Sequence, residues 1–181
     1  LAFMTMLGSG IAISVLVGQY LGMNRPDLAQ KTTYSGLHVT LVYMGFIAAL
    51  YMFLPHLFVD AFSIRSQSVN IAEISVLTII LRRFVALYSL FDGMNIIFAS
   101  ALKGAGDTRF VMLVNVAFSA LMIIPTYITV IHLKGGIIAC WTIATLYIIL
   151  LSFIFLTRFL GGAWKSMRVI ERHVPILPPE C

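Results

Sequence analysis

Four stretches of this 181-residue chain carry no Asp, Glu, Lys or Arg at all: residues 1–24, 32–59, 110–133 and 135–157. Each exceeds the roughly 20 residues that an α-helix needs to cross about 30 Å of hydrocarbon. Inside a bilayer every backbone polar group must be satisfied within the protein, so only helices and closed barrels span it. Barrel strands would show polar–apolar alternation over about 10 residues, and the continuous Ile, Leu and Met runs exclude that. A fifth apolar stretch, 74–102, is interrupted by Arg82, Arg83 and Asp92. Composition agrees: 10% of residues are charged, against about 25% in soluble domains. The expected fold is therefore all-α, a polytopic membrane bundle of five transmembrane helices near 3–22, 34–59, 74–102, 110–132 and 136–158. These form one transmembrane unit, 1–160. A basic tail, 161–181, follows and is expected to be disordered because of Pro175, Pro178 and Pro179. No soluble domain fits in what remains. The chain opens on Leu1 inside an apolar run, without a basic n-region, and is expected to be a piece of a longer protein.

The net charge of +5 matters through its placement. Arg25 and Lys31 fall in the first loop, Lys103 and Arg109 in the third, and Arg158, Lys165, Arg168 and Arg172 in the tail, making eight on one side. Only Arg65 and Lys134 fall on the other. The positive-inside rule then puts the first and third loops and the C-terminus in the cytoplasm, with a bacterial inner membrane as the expected location. Because the basic residues follow membrane topology, nucleic-acid binding is a poor account of them.

Asp92 is the residue that points to function. An acid at the centre of a membrane helix costs about 2.5–3.5 kcal/mol on insertion scales. Such residues usually face a bundle interior and mark ion or substrate pathways. Tyr88 lies four residues before it and Asn95 three after, so all three project from one helical face. The competing reading is a buried acid paired with a cation on another helix, purely as structural glue. Arg82 and Arg83 are not that cation within the helix: they stand nine or ten residues away, roughly 14 Å, and are expected to snorkel to the interface.

Other features are weaker. Gly10, Ser14, Gly18 and Gly22 recur every fourth residue, a small-residue ridge suited to close helix packing, with Gln19 beside it seeking a partner across the bundle. Gly22 can end the first helix, and Asn24 and Pro26 can cap and open the next. Gly104 or Gly106 can close the third helix, while Asp107 or Thr108 can cap the fourth. Pro125 interrupts the fourth helix at mid-span and implies a kink. Trp164 suits the membrane interface. Four histidines are scattered without ligand spacing, and Cys140 and Cys181 form no metal or redox pattern. The only metal candidate is Asp92, as a Na⁺ site. Neither a P-loop nor a dinucleotide fingerprint is present, and no polar cluster suggests an enzyme. No cofactor is expected.

Four segments carry a family resemblance: Ser14-Val-Leu-Val-Gly-Gln-Tyr-Leu-Gly22, Tyr88-Ser-Leu-Phe-Asp92, Ala101-Leu-Lys-Gly-Ala-Gly-Asp-Thr108, and Gly135-Gly-Ile with Trp141. In order and spacing the chain resembles the C-terminal lobe of the multidrug and toxic compound extrusion (MATE) family, NorM-like bacterial branch. The resemblance implies helices 8 to 12 of a twelve-helix exporter with two six-helix lobes around a central cavity. It implies exchange of Na⁺ or H⁺ for organic cations and other amphipathic drugs. Asp92 matches the family's acid on the tenth helix, implicated in cation coupling, and Tyr88 the tyrosine one turn earlier. The partners it implies are the N-terminal lobe and seventh helix of the same parent, membrane lipid and small-molecule substrates.

Two alternatives stay open. A lipid-linked oligosaccharide flippase of the same superfamily should carry more basic residues in its spans for a pyrophosphate headgroup. A non-catalytic helix-bundle subunit would use the ridge for packing and Asp92 as glue.

Overall fold

The computed structural model describes residues 2–53, 71–132 and 136–167. Among the described residues five α-helices follow one another: α1 (Ala2–Gly22), α2 (Pro26–Phe53), α3 (Ile71–Gly104), α4 (Thr108–Ile131) and α5 (Ile137–Leu160). A short 3₁₀ turn, Ala163–Ser166, closes the described chain, and no strand occurs among the described residues. α1, α2, α4 and α5 are each long and apolar enough to cross a membrane. α3 carries Arg82, Arg83 and Asp92 and runs for 34 residues, about 51 Å, longer than the roughly 30 Å of hydrocarbon. Large apolar side chains stay exposed on the outer faces, among them Met4, Ile11, Val42, Leu113 and Ile123. In water that surface would be a liability; in lipid it is the expected exterior of an integral membrane protein.

The turns show why the helices break where they do. α1 ends with Asn24 in the left-handed region, φ 58°, and the Arg25 N–H donates back to Tyr20 O at 2.8 Å. Asn24 thus closes the first helix instead of capping the second. α2 then starts at Pro26, eight residues earlier than the expected Tyr34. Residues 26–33 are too polar to read as membrane span, but the fixed φ of Pro26 opens a helix and Asp27 complements its N-terminal dipole. Ala29 and Thr33 bury one side of this extension completely. The expected outer end of this helix, with Pro55 and His56, and the loop 60–70 lie outside the described residues. Between α3 and α4, Gly106 takes φ 94°, which only glycine adopts without strain, and the Asp107 N–H donates to Leu102 O at 2.9 Å.

α3 is the hub, packing against α1, α2 and α5, whereas α4 rests on α5 and barely touches α3. The core gathers at the C-terminal end of α3, where six consecutive residues, Ile97 to Leu102, are all buried. Phe159 of α5 is its centre: its ring lies 5.3 Å from that of Phe98, 5.9 Å from Tyr34 and 4.8 Å from Trp164. Such aromatic pairs contribute roughly 0.5–1.5 kcal/mol each beyond area burial. Trp164 departs from the expected interfacial tail. It is 1% exposed, stacks on Phe159, and donates its Nε1–H to Phe159 O at 2.7 Å. Residues 161–167 are therefore folded back onto the bundle. Residues 168–181, including the three prolines, lie outside the described residues.

Close backbone approach sets the α1–α3 seam. An added Cβ at Gly10 would stand 2.8 Å from Ser100 Oγ and 2.9 Å from Ile96 Cγ2. At Gly104 it would strike the main chain of Ser14, 2.9 Å from both Cα and the carbonyl carbon. Gly18 faces the Gly104 carbonyl oxygen, which a Cβ would meet at 3.2 Å. Gly22 is different: nothing lies within 4 Å of such a Cβ. Gln19 is exposed, not turned into the bundle.

Candidate functional site

On α3 each neighbour claims one side. Phe91 turns toward Phe153 of α5, ring centroids 6.3 Å apart. Gly93 faces Thr40 of α2, and Ile96 and Ser100 face α1. At about 100° per residue, Tyr88, Asp92 and Asn95 then fall between the α5-facing and α1-facing sides, away from α2. The three residues singled out from the sequence share this stripe.

Asp92 is 6% exposed. The side chain of Asn95 lies within electrostatic reach of its carboxylate. Tyr88, half-buried one turn earlier, is within electrostatic reach of Asp92 and of Tyr147 on α5. The ion pairs among the described residues are Arg25–Asp27 and Asp107–Arg158, so Asp92 has no cationic partner among them. A buried carboxylate used only as glue should have one, because an unpaired buried charge is costly. The Oδ1 of Asn95 is also buried without a hydrogen-bond partner in the described structure. This oxygen is an acceptor on the same helix face as the carboxylate. Hard cations take oxygen ligands, and this pair offers them on one helix face. No group of three or more His, Cys, Asp and Glu that could hold a metal occurs among the described residues.

Beside Asn95 a cleft of about 360 Å³ is bounded by α1 and α3 together with Asn115 of α4 and Phe155 of α5, its polar walls being Ser14, Asn95, Ser100, Lys103 and Asn115. A second, apolar groove of about 250 Å³ lies between α4 and α5 around Pro125, Met122, Tyr147 and Leu150. Pro125 sits within α4 and cannot donate to the carbonyl four residues back. The next carbonyl, Met122 O, accepts the Thr126 hydroxyl at 2.8 Å.

One polar contact escaped sequence reasoning. Asp107 flanks the start of α4 but makes no side-chain cap. Its carboxylate instead accepts the Arg158 Nε–H at 2.8 Å, and the Arg158 guanidinium lies over the Phe110 ring at 4.7 Å. Asp107 is nearly buried, Arg158 about one-third exposed. The pair ties the α3–α4 turn to the end of α5 across 51 positions of sequence. Their placement on the same membrane side was the one available signal.

Comparison with known proteins places this geometry in context. The MatE family profile matches residues 1–128, which include α1 to α3 and most of α4. The chain is 23% identical over 96% of its length to the probable multidrug resistance protein NorM of Thermotoga maritima, covering 36% of that protein. It is 27% identical over 62% of its length to the probable NorM of Mesorhizobium japonicum, covering 24% of it. For the probable NorM of Shewanella oneidensis the identity is 33% over 60% of the chain and 22% of the relative. The chain thus spans little more than a third of the curated relatives' length at most. No solved structure matches it.

Proposed function

The chain belongs to the MatE family, and from that premise we propose that it forms the C-terminal lobe of a secondary active exporter that exchanges Na⁺ or H⁺ for organic cations or amphipathic drugs. The names of its relatives, multidrug resistance proteins, support the substrate class. The observation that carries the mechanism is Asp92: a buried carboxylate on the central helix α3, within reach of the Asn95 side chain, with no counter-ion among the described residues. A coupling ion supplies the missing positive charge, either as Na⁺ on the oxygens of Asp92 and Asn95 or as a proton on the carboxylate. Ion release alters how α3 packs, because a ligand shifts a conformational equilibrium only through differential affinity for its states. A cationic drug competing for the same carboxylate would produce antiport directly.

The lobe sits in the bacterial inner membrane with the α1–α2 and α3–α4 turns and the C-terminus in the cytoplasm, following the basic asymmetry. An N-terminal lobe and a seventh helix complete the cavity. The exposed apolar faces of α1 and α4 suit lipid and those helices.

The test is Asp92→Asn in the complete exporter, reconstituted with each ion gradient imposed in turn. The substitution keeps size and hydrogen bonding but removes the charge. Normal abundance with loss of ion-driven efflux is expected. Asp92→Glu should keep part of the activity, and Tyr88→Phe should do less harm. Full ion-dependent efflux by Asp92→Asn would eliminate the coupling role and leave the glue reading.

A further inference from the structure

α2 shows two opposite faces. Ala29, Thr33, Thr40 and Met44 are buried on the side that packs against α1 and α3. On the other side Lys31, Ser35, His38, Val42 and Phe46 are all exposed and, at about 100° per residue, fall within about 80° of one another. This stripe changes character along its length. Lys31 is the last charged residue before the charge-free run 32–59 and so marks the hydrocarbon edge. Ser35 and His38 stand roughly 6 and 10 Å further along the helix. Val42 and Phe46 continue it as apolar surface, 74% and 64% exposed.

Polar groups that face outward from a membrane helix need partners. Elsewhere in this bundle helix hydroxyls find one in their own backbone: Ser9, Thr126 and Thr142 each donate to the carbonyl four residues back. Ser35 does not, and neither it nor the Lys31 ammonium has a partner among the described residues. Asp27, one turn before Lys31, is engaged by Arg25 instead. The His38 ring donates its Nδ1–H to the Tyr34 carbonyl at 2.7 Å, which holds it against its own helix.

We propose that this face of α2 binds an anionic phospholipid of the leaflet on the side of the α1–α2 turn, with Lys31 and Ser35 donating to its phosphate oxygens and an acyl chain lying along Val42 and Phe46. The order of groups fits as well as their kind. A phospholipid carries its phosphate outside the hydrocarbon edge and its apolar chain inside, and the stripe runs from donors to apolar surface in the same sense, with His38 between the two ends. Charge selects the anionic class. Lys31 is a cation without a protein partner, and a Lys at the membrane edge attracts anionic headgroups, whereas a zwitterionic headgroup brings its own ammonium to the phosphate. The inference requires α2 to span a membrane, for which it is long and apolar enough, and is independent of the role of Asp92.

The experiment uses the complete exporter with Cys140 and Cys181 replaced and a fluorophore attached to Val42→Cys, reconstituted in phosphatidylcholine vesicles. Phe46→Cys is a second reporting position, so that one poorly folding variant does not decide the result. Lipids with a nitroxide on the acyl chain are titrated in, carrying either a phosphatidylglycerol or a phosphatidylcholine headgroup. The phosphatidylglycerol form should reach half-quenching at a roughly fivefold lower mole fraction than the phosphatidylcholine form. Lys31→Gln should abolish that preference and Ser35→Ala should weaken it. Arg109→Gln, at the exposed start of α4, should leave it unchanged. Equal quenching by the two headgroups would mean bulk lipid alone and would overturn the site. Quenching by neither would mean that another helix of the exporter covers α2, and would overturn it as well. So would a preference that survives Lys31→Gln.

Discussion

Gly104→Ala is the sharpest perturbation of the fold, because what it strikes is main chain. The new Cβ would lie 2.9 Å from the Cα and carbonyl carbon of Ser14, and closer still to the carbonyl oxygen. Comfortable carbon–carbon contact begins near 3.5 Å, so α1 must retreat by roughly 0.6–1 Å. A radial gap of 0.5–1 Å forfeits a quarter to a half of each dispersion contact along its lining. In lipid, where helices associate through packing and not through hydrophobic transfer, little else compensates. Overpacking costs about 1–3 kcal/mol, and the roughly 1 kcal/mol helix-propensity gain of Ala over Gly is reduced at the last residue of α3. A net loss of about 2 kcal/mol is expected. The assay is thermal denaturation of the complete exporter in detergent, followed by loss of the monodisperse size-exclusion peak. Gly22→Ala, with nothing within 4 Å, is the matched control and should be neutral or slightly stabilising. Gly10→Ala should fall between them, since Ser100 and Ile96 meet it with side chains that can rotate. Equal stability for Gly104→Ala and Gly22→Ala would refute the tight-seam argument.

Three further outcomes follow from named contacts. Asp107→Asn should destabilise by about 1–2 kcal/mol, less than the 3–5 expected of a fully buried pair because Arg158 is one-third exposed; a double-mutant cycle with Arg158→Gln should show positive coupling, and purely additive effects would remove the pair from the account. Trp164→Phe preserves stacking on Phe159 but deletes the bond to its carbonyl, and should cost about 1 kcal/mol in the same denaturation assay. For topology, a cysteine at His132 should react with a membrane-impermeant thiol reagent on intact cells, whereas cysteines at Asp27 and Lys165 should not; the reverse pattern would invert the orientation. All three positions are exposed, unlike Ala29, which is buried completely.

The sequence alone determined the material: long apolar helices and, among the described residues, no strand. Charge-free runs longer than the bilayer is thick leave the backbone no other way to satisfy its polar groups. The helical period likewise put Tyr88, Asp92 and Asn95 on one face, since that is a property of a single helix. Tertiary structure decided what each face meets. The four-residue spacing of Gly10, Ser14, Gly18 and Gly22 is uniform, yet only the first three meet α3, because that helix ends at Gly104 opposite Ser14 and Gly18, leaving Gly22 to overhang. The polar start of α2 at Pro26, the inward fold of Trp164 and the 51-residue span of Asp107 to Arg158 were hidden for the same reason. Hydropathy reports whether a residue suits lipid or water, whereas these depend on a third environment, the surface of another helix. Whether Asp92 has a partner is a question of that kind too, settled by which helices surround it in space and not by the residues beside it in the chain.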